Sequence, residues 1–133
     1  MVFAKTQMGG LDFGFPDVCL TPVLGVPVPI PYPNIAIPLM AIPTQFKVLT
    51  LAMPDHNLLT MTPMSNGDNA GVQLNPASGM VMGPSRNMMS SLSTFICGMP
   101  ATRMLDMTGQ NGFTPGAPGL SLVPSQIKCM ILR

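Results

Sequence analysis

Apolar and polar positions alternate in short runs along this chain, and a helical period is nowhere sustained beyond a turn or two. The clearest runs are residues 45–53 (QFKVLTLAM), 92–99 (LSTFICGM) and 126–132 (QIKCMIL). In the first, Lys47, Leu49 and Leu51 oppose Val48 and Thr50; in the last, Lys128 sits between Ile127 and Cys129. Each run carries β-branched or aromatic residues and stops at a proline or near the C-terminus, which predicts three strands. Residues 79–82 (GMVM) add a weaker fourth. Only Leu11 to Phe15 and Met88 to Leu92 have the spacing of a short helical turn. The pattern therefore predicts a mainly β fold of short strands and Pro/Gly-rich loops, one domain over residues 1–133.

Residues 26–33 (VPVPIPYP) place proline at every second position. Alternate prolines lock φ and remove alternate amide donors, so the segment is extended and keeps its remaining amides on one side. It fits a sheet edge or a rigid strap but not a central strand. A free strap of this kind also fits a proline-binding partner. The apolar residues between the prolines (Val28, Ile30, Tyr32) favour a strap closing the domain's own core.

An internal repeat is visible. Residues 45–67 and 92–112 each run from a strand through Met-Pro (Met53-Pro54, Met99-Pro100) to a closing Asn-Gly (Asn66-Gly67, Asn111-Gly112). Asn-Gly tolerates positive φ at both positions and is a strong turn signal. A fainter third copy is expected to begin at Phe15-Pro16-Asp17. Three copies of one β unit predict an object with approximate threefold character, a shape that matches the end of a threefold partner.

Composition narrows the function. Charged residues are 8% of the 133, there is no Glu, and the formal net charge is +1. The six bases are scattered singly, so the chain has no footprint for neutralising phosphates, and one Tyr with no Trp gives no base-stacking platform. A mean hydropathy of +0.41 with 14 Met points instead to a surface covered by a partner. A membrane span is not expected, because the longest uncharged run, residues 18–46, holds seven prolines. The N-terminus has no apolar segment of the secretory kind, and Cys19, Cys97 and Cys129 have no close spacing. Three reduced, buried thiols in a protein made in the cytoplasm without a signal peptide are the expectation.

Pro100-Ala101-Thr102-Arg103 is one substitution from a proline-alanine-alanine-arginine motif, and Pro29-Ile30-Pro31-Tyr32-Pro33-Asn34 carries a Pro-Ile-Pro-Tyr signature. With Phe15-Pro16-Asp17-Val18-Cys19, Met53-Pro54-Asp55-His56-Asn57 and Ser65-Asn66-Gly67-Asp68, these segments make the whole chain resemble the PAAR-like spike-tip family. The resemblance implies a small conical β domain that caps a trimeric β-helical spike of valine-glycine-repeat type. Its setting is a type VI secretion system or a related contractile injection machine. It further implies delivery at the tip of that apparatus, with an effector toxin or effector adaptor as a second partner.

The family also implies a metal, typically zinc, near the apex, held mostly by His with one Cys. Here His56 is the only histidine. Cys19 and His56 each follow a Pro-Asp pair and are the candidate ligands, while Cys97 and Cys129 read as core thiols. The competing reading has Asp55, His56 and Asn57 tying a turn by hydrogen bonds with Cys19 nearby. Arg103 and Asp106 are three apart and are expected to form an exposed pair of little worth. One His, no Glu and few aromatics leave little for a catalytic pocket, so no enzyme is expected. The alternatives are a stand-alone metal-dependent toxin and a Pro-rich adaptor-binding module.

Overall fold

Breakers every few residues leave room only for short strands. The computed structural model describes residues 2–132. Its strands are β1 (Val2–Phe3), β2 (Leu11–Val23), β3 (Val26–Ala36), β4 (Leu49–Thr50), β5 (Met53–Pro54), β6 (Met61–Thr62) and β7 (Ser65–Asn66). They continue with β8 (Ser85–Asn87), β9 (Phe95–Ile96), β10 (Met99–Pro100), β11 (Met107–Gln110), β12 (Ala117–Val123) and β13 (Met130–Ile131). Seven make one antiparallel sheet in the order β6-β8-β11-β12-β2-β3-β7. The rest pair as two-stranded sheets, β4-β5, β9-β10 and β1-β13. The fold is mainly β, as the pattern predicts.

Several expectations change in detail. Leu11 to Phe15 opens β2 rather than a helical turn, and neither 79–82 nor 88–92 is regular. The three predicted strands are each a tight turn followed by a hairpin arm. Gln45 makes the first turn: its Oε1 accepts from the amides of Lys47 (2.9 Å) and Val48 (2.8 Å). Its Nε2 donates to the carbonyls of Val48 (2.9 Å) and Asp55 (2.7 Å). Gln126 does the same for Lys128, Cys129 and Ala4, and Ser91 accepts from Ser93 and Thr94. A side chain thus takes over the backbone bonding that would otherwise extend the strand.

The threefold character is present, but its third copy is not at Phe15. Phe15 lies in β2, and the third unit is split between the chain ends: β13 pairs with β1 through Val2–Ile131 and Phe3–Met130. The three units then superpose in register. Asp55, Ala101 and Ala4 donate their amides to Val48, Thr94 and Cys129 at 3.1, 2.9 and 3.0 Å. At the centre the backbones close a ring: Lys5 donates to Thr102 (3.0 Å), Thr102 to His56 (3.3 Å) and His56 to Lys5 (2.9 Å). Gln7, Leu58 and Met104 repeat the cycle onto Pro54, Pro100 and Phe3. From this ring each unit runs on into the seven-stranded sheet, through β2, β6 and β11.

The hairpin turns at Leu51-Ala52 and Cys97-Gly98 have positive φ at both positions (54° and 64°, 51° and 81°), the geometry that suits strand twist. The equivalent connection between β13 and β1 is the one the chain leaves open. A permutant that joins Leu132 to Val2 through Asn-Gly and opens between Leu51 and Ala52 is therefore expected to keep the fold. Its far-UV circular dichroism should match the parent, with a melting temperature within about 5 °C. An unfolded permutant would mean the three units are not interchangeable.

The interior is polar and the exterior apolar. Among the described residues, buried polar and charged side chains outnumber buried apolar ones by about three to one. The one apolar cluster is small: Ala4, Ile96, Ala101 and Ile131. All five Asp are buried, whereas Phe15, Leu24, Phe46, Leu92 and Ile127 are among many large apolar residues left exposed. Backbone closure and buried hydrogen bonds, rather than an oily core, hold the chain together, and the large apolar side chains are left on the surface. The Val26 to Pro33 segment behaves as its prolines dictate. It pairs with β2 along one edge, and only Ile35 and Ala36 pair on the other, with β7. Of the described helices, none is long and apolar enough to cross a membrane.

Candidate functional site

Three features of this architecture concentrate chemistry: a threefold set of exposed apolar side chains, the buried ring around His56, and a carboxylate–thiol–amide cluster at Asp17.

The first follows from the unit repeat. Phe46, Leu92 and Ile127 occupy the same place after the turn-forming residue of each unit and are 71%, 82% and 74% exposed. Leu49, Phe95 and Met130 form a second equivalent trio at 55%, 60% and 46%. Period-two alternation turns one residue of each arm inward, so Ile96 and Ile131 enter the small apolar cluster while their neighbours face out. Lys47 and Lys128 stand beside the first trio, with Ser93 in the third place, and both lysines are exposed.

At the ring, His56 is 1% exposed and its Nε2 has no hydrogen-bond partner. Burial, and then the nearby Lys5 ammonium, lower its pKa to about 3, so the imidazole is neutral. Lys5 is itself buried and donates to Asp12 (2.6 Å) and Asn87 (2.9 Å), which satisfies its charge. The reading in which neighbours tie the turn holds for Asn57 and Asp55: Asn57 Oδ1 accepts from Leu59 and Thr44, and Asp55 from Thr50. Arg103 and Asp106 do pair, but Asp106 is buried and takes the Arg103 amide (2.8 Å) as well as its guanidinium (3.0 Å). The pair caps a turn in partial shelter rather than lying open on the surface.

The third feature lies where β2, β3, the 67–83 loop and the end of β11 meet. A register shift between Gly14 and Asp17 turns Asp17 and then Cys19 inward along β2. One oxygen of Asp17, the Cys19 Sγ and one oxygen of Asp68 lie within 4.8 Å of one another, all buried, a group that could hold a metal ion by spacing alone. Asn34 and Asn75 each donate to Asp17 at 2.7 Å. Asn111 Nδ2 reaches Asp17 (3.1 Å), Asp68 (2.7 Å) and Cys19 Sγ (3.6 Å). The Met82 amide donates to Asp68 at 3.1 Å. Burial first, then the two carboxylates, push the Cys19 thiol up to about 12, and burial raises Asp68. The signature residue Asn34 thus ties β3 to Asp17, and Gly71 lies so close to Cys19 that any side chain there would collide with it.

The two ligands expected from sequence are not brought together: Cys19 belongs to the Asp17 cluster and His56 to the ring. Cys97 and Cys129 are exposed, not core thiols, because Cys97 sits in a positive-φ turn and Cys129 follows the Gln126 turn. Sequence reading missed Asp17, Asp68 and Asn111 as a group. The signal was present in the acids and Asn of Pro-Asp-Val-Cys, Asn-Gly-Asp and Gln-Asn-Gly, but their convergence is long-range.

These shifts set a pH dependence. The unfolded His titrates near 6.5, so below that pH the unfolded chain takes the proton first. Stability should fall toward pH 3 at up to about 1.4 kcal/mol per unit. Asp55 and Asp68, raised by burial, act oppositely as they protonate and soften that fall. On the alkaline side, the stabilisation from the protonated Cys19 thiol is full below 9.0 and is lost as pH rises toward about 12. The melting temperature is expected to plateau between about pH 7 and 8.5. His56→Gln should flatten the acid limb and Cys19→Ala the alkaline one.

No curated protein and no solved structure matches the chain. A family model does, over residues 10–116, a stretch that takes in the Asp17 cluster and two of the three hairpin units but stops short of β1 and β13. With the three-unit β fold, that match places the chain in the Toxin PAAR-like domain family.

Proposed function

We propose that this chain is a non-enzymatic tip that caps and sharpens the trimeric spike of a bacterial type VI secretion system and helps carry an effector. The observation that carries this reading is the pair of exposed trios, Phe46/Leu92/Ile127 and Leu49/Phe95/Met130. A single chain matches a threefold end by presenting one surface three times, and apolar side chains this exposed need a cover. The exposed charges of the described residues, Lys47, Arg86 and Lys128, are all cationic, while every Asp is buried. The matching spike end is therefore apolar, with carboxylates opposite the lysines.

One depression supports a role without chemistry. The depression on the outer sheet face, about 370 Å³, is lined by Phe13, Phe15, Met107, Pro118, Gly119, Leu120 and Leu122, with no titratable group. His56 and Cys19, the groups a catalytic reading needs, are both buried and lie in separate clusters. In this reading the chain is made in the cytoplasm, leaves on the spike, and takes an effector toxin or its adaptor as a second partner.

The test is co-expression with spike proteins of valine-glycine-repeat type. Co-elution of one tip with three spike chains is the expected result. A monodisperse, folded monomer that captures none of them would overturn the reading. Growth arrest on cytoplasmic expression, relieved by Cys19→Ala or His56→Ala, would favour a toxin instead.

A further inference from the structure

The zinc that the resemblance brings to such a tip has a definite place to be looked for, and the residues there do not suit it. Asp17, Cys19 and Asp68 supply three donor atoms. A tetrahedral ion needs a fourth, with oxygen or nitrogen ligands at about 2.0–2.2 Å and sulfur at about 2.3 Å. The side chain facing the same centre is Asn111, and it faces inward with its amide nitrogen, whose hydrogens point at both carboxylates and the sulfur. An amide N–H is a donor with no lone pair to offer a cation. The amide cannot turn over freely, because Oδ1 is held by the Gly83 amide at 2.9 Å. Gly83 in turn is packed so that a Cβ would meet the backbone of Asn111 and Gly112 at 2.9 and 2.8 Å. Asn111 also sits at φ +58°, a conformation that Asn tolerates better than most residues.

We infer that Asn111 occupies the place of the metal. One buried side-chain amide joins β2, the 67–83 loop and the end of β11, and the tip of this chain closes by hydrogen bonds with no ion. The remaining lone pairs agree with this. Asp17 is filled from its other sides by Asn34 and Asn75, and Asp68 by the Met82 amide, so the carboxylates are already satisfied.

The test uses the whole purified chain, expressed in zinc-supplemented medium and analysed by inductively coupled plasma mass spectrometry. Less than about 0.1 equivalent of any transition metal is expected, and a melting temperature unchanged within about 1 °C between excess EDTA and excess zinc chloride. About one equivalent of metal, or a fall of more than about 5 °C in EDTA, would overturn the inference. A second variant tests the assignment to Asn111 itself. Asn111→His supplies the missing ligand, and its melting temperature should rise with added zinc while the parent stays insensitive. A parent and variant that respond alike to zinc would remove Asn111 from the role.

Discussion

Changing Phe46, Leu92 and Ile127 together to Asp is expected to abolish capture of the trimeric spike while leaving the fold in place. These side chains are 71%, 82% and 74% exposed, so carboxylates there stay hydrated in the free chain, and each change should move its stability by no more than about 0.5 kcal/mol. In the joint the same carboxylates would be stripped of water against apolar surface. Each single variant should then weaken binding about tenfold to a hundredfold, roughly 1.4–2.8 kcal/mol. The internal symmetry sharpens the test. Equivalent positions on a threefold partner see equivalent environments, so the three single variants should weaken binding to a similar degree. Leu24→Asp is the control, since Leu24 is fully exposed at the β2–β3 turn but has no partners in the other units. Surface plasmon resonance against immobilised spike reads all five variants beside the parent. Loss with Leu24→Asp, and none with the triple variant, would move the docking face to the opposite side of the molecule.

That surface was partly legible in the sequence, and the limits have physical causes. The mainly β character, the proline edge and the Met-Pro repeat could all be read because each is written in neighbouring residues. The third repeat could not, because it is assembled from β13 and β1, the two ends of the chain, and no local window holds both. A closer comparison of Gln45-Phe46-Lys47 with Gln126-Ile127-Lys128 would have found its first half, since both glutamines fold the following turn. The hairpin turns were hidden for another reason. Asn-Gly was the signal sought, and Asn111-Gly112 does take positive φ at both positions between β11 and β12, but the tight turns at Leu24-Gly25, Leu51-Ala52 and Cys97-Gly98 impose positive φ on Leu24, Leu51, Ala52 and Cys97, which do not prefer it. Polarity misled as well. Hydrophobic alternation normally marks the inward face, but here Asp12, Gly14, Asp17 and Cys19 are the buried positions of β2, and Phe15 is left outside.

The interior is where substitution should cost most, and Asp17→Ala is the sharpest case. Asp17 is fully buried and accepts from Asn34 (2.7 Å), Asn75 (2.7 Å) and Asn111 (3.1 Å). Asn111 keeps Asp68 and Asn75 keeps a longer contact with the Gly116 carbonyl, but the Asn34 amide is given no other acceptor. Leaving a buried donor unpaired costs about 1–3 kcal/mol, so a loss of at least that size is expected from Asn34, with the weakened bonds of Asn75 and Asn111 adding to it. That is a large share of the roughly 5–15 kcal/mol that a domain usually has. Urea denaturation of the parent, Asp17→Ala, Asp17→Asn and Cys19→Ser orders the contributions. Asp17→Asn keeps the shape and one acceptor oxygen and should fall between parent and Ala. Cys19→Ser leaves all three amides with their acceptors and should cost least. A loss below about 1 kcal/mol for Asp17→Ala would mean that water reaches the amides and that the cluster does not hold the loops together. The predicted order instead makes the Pro-Asp-Val-Cys stretch of β2 a clasp. Its carboxylate fixes β3 through Asn34 and the 67–83 loop through Asn75, and so holds together a chain with almost no apolar core.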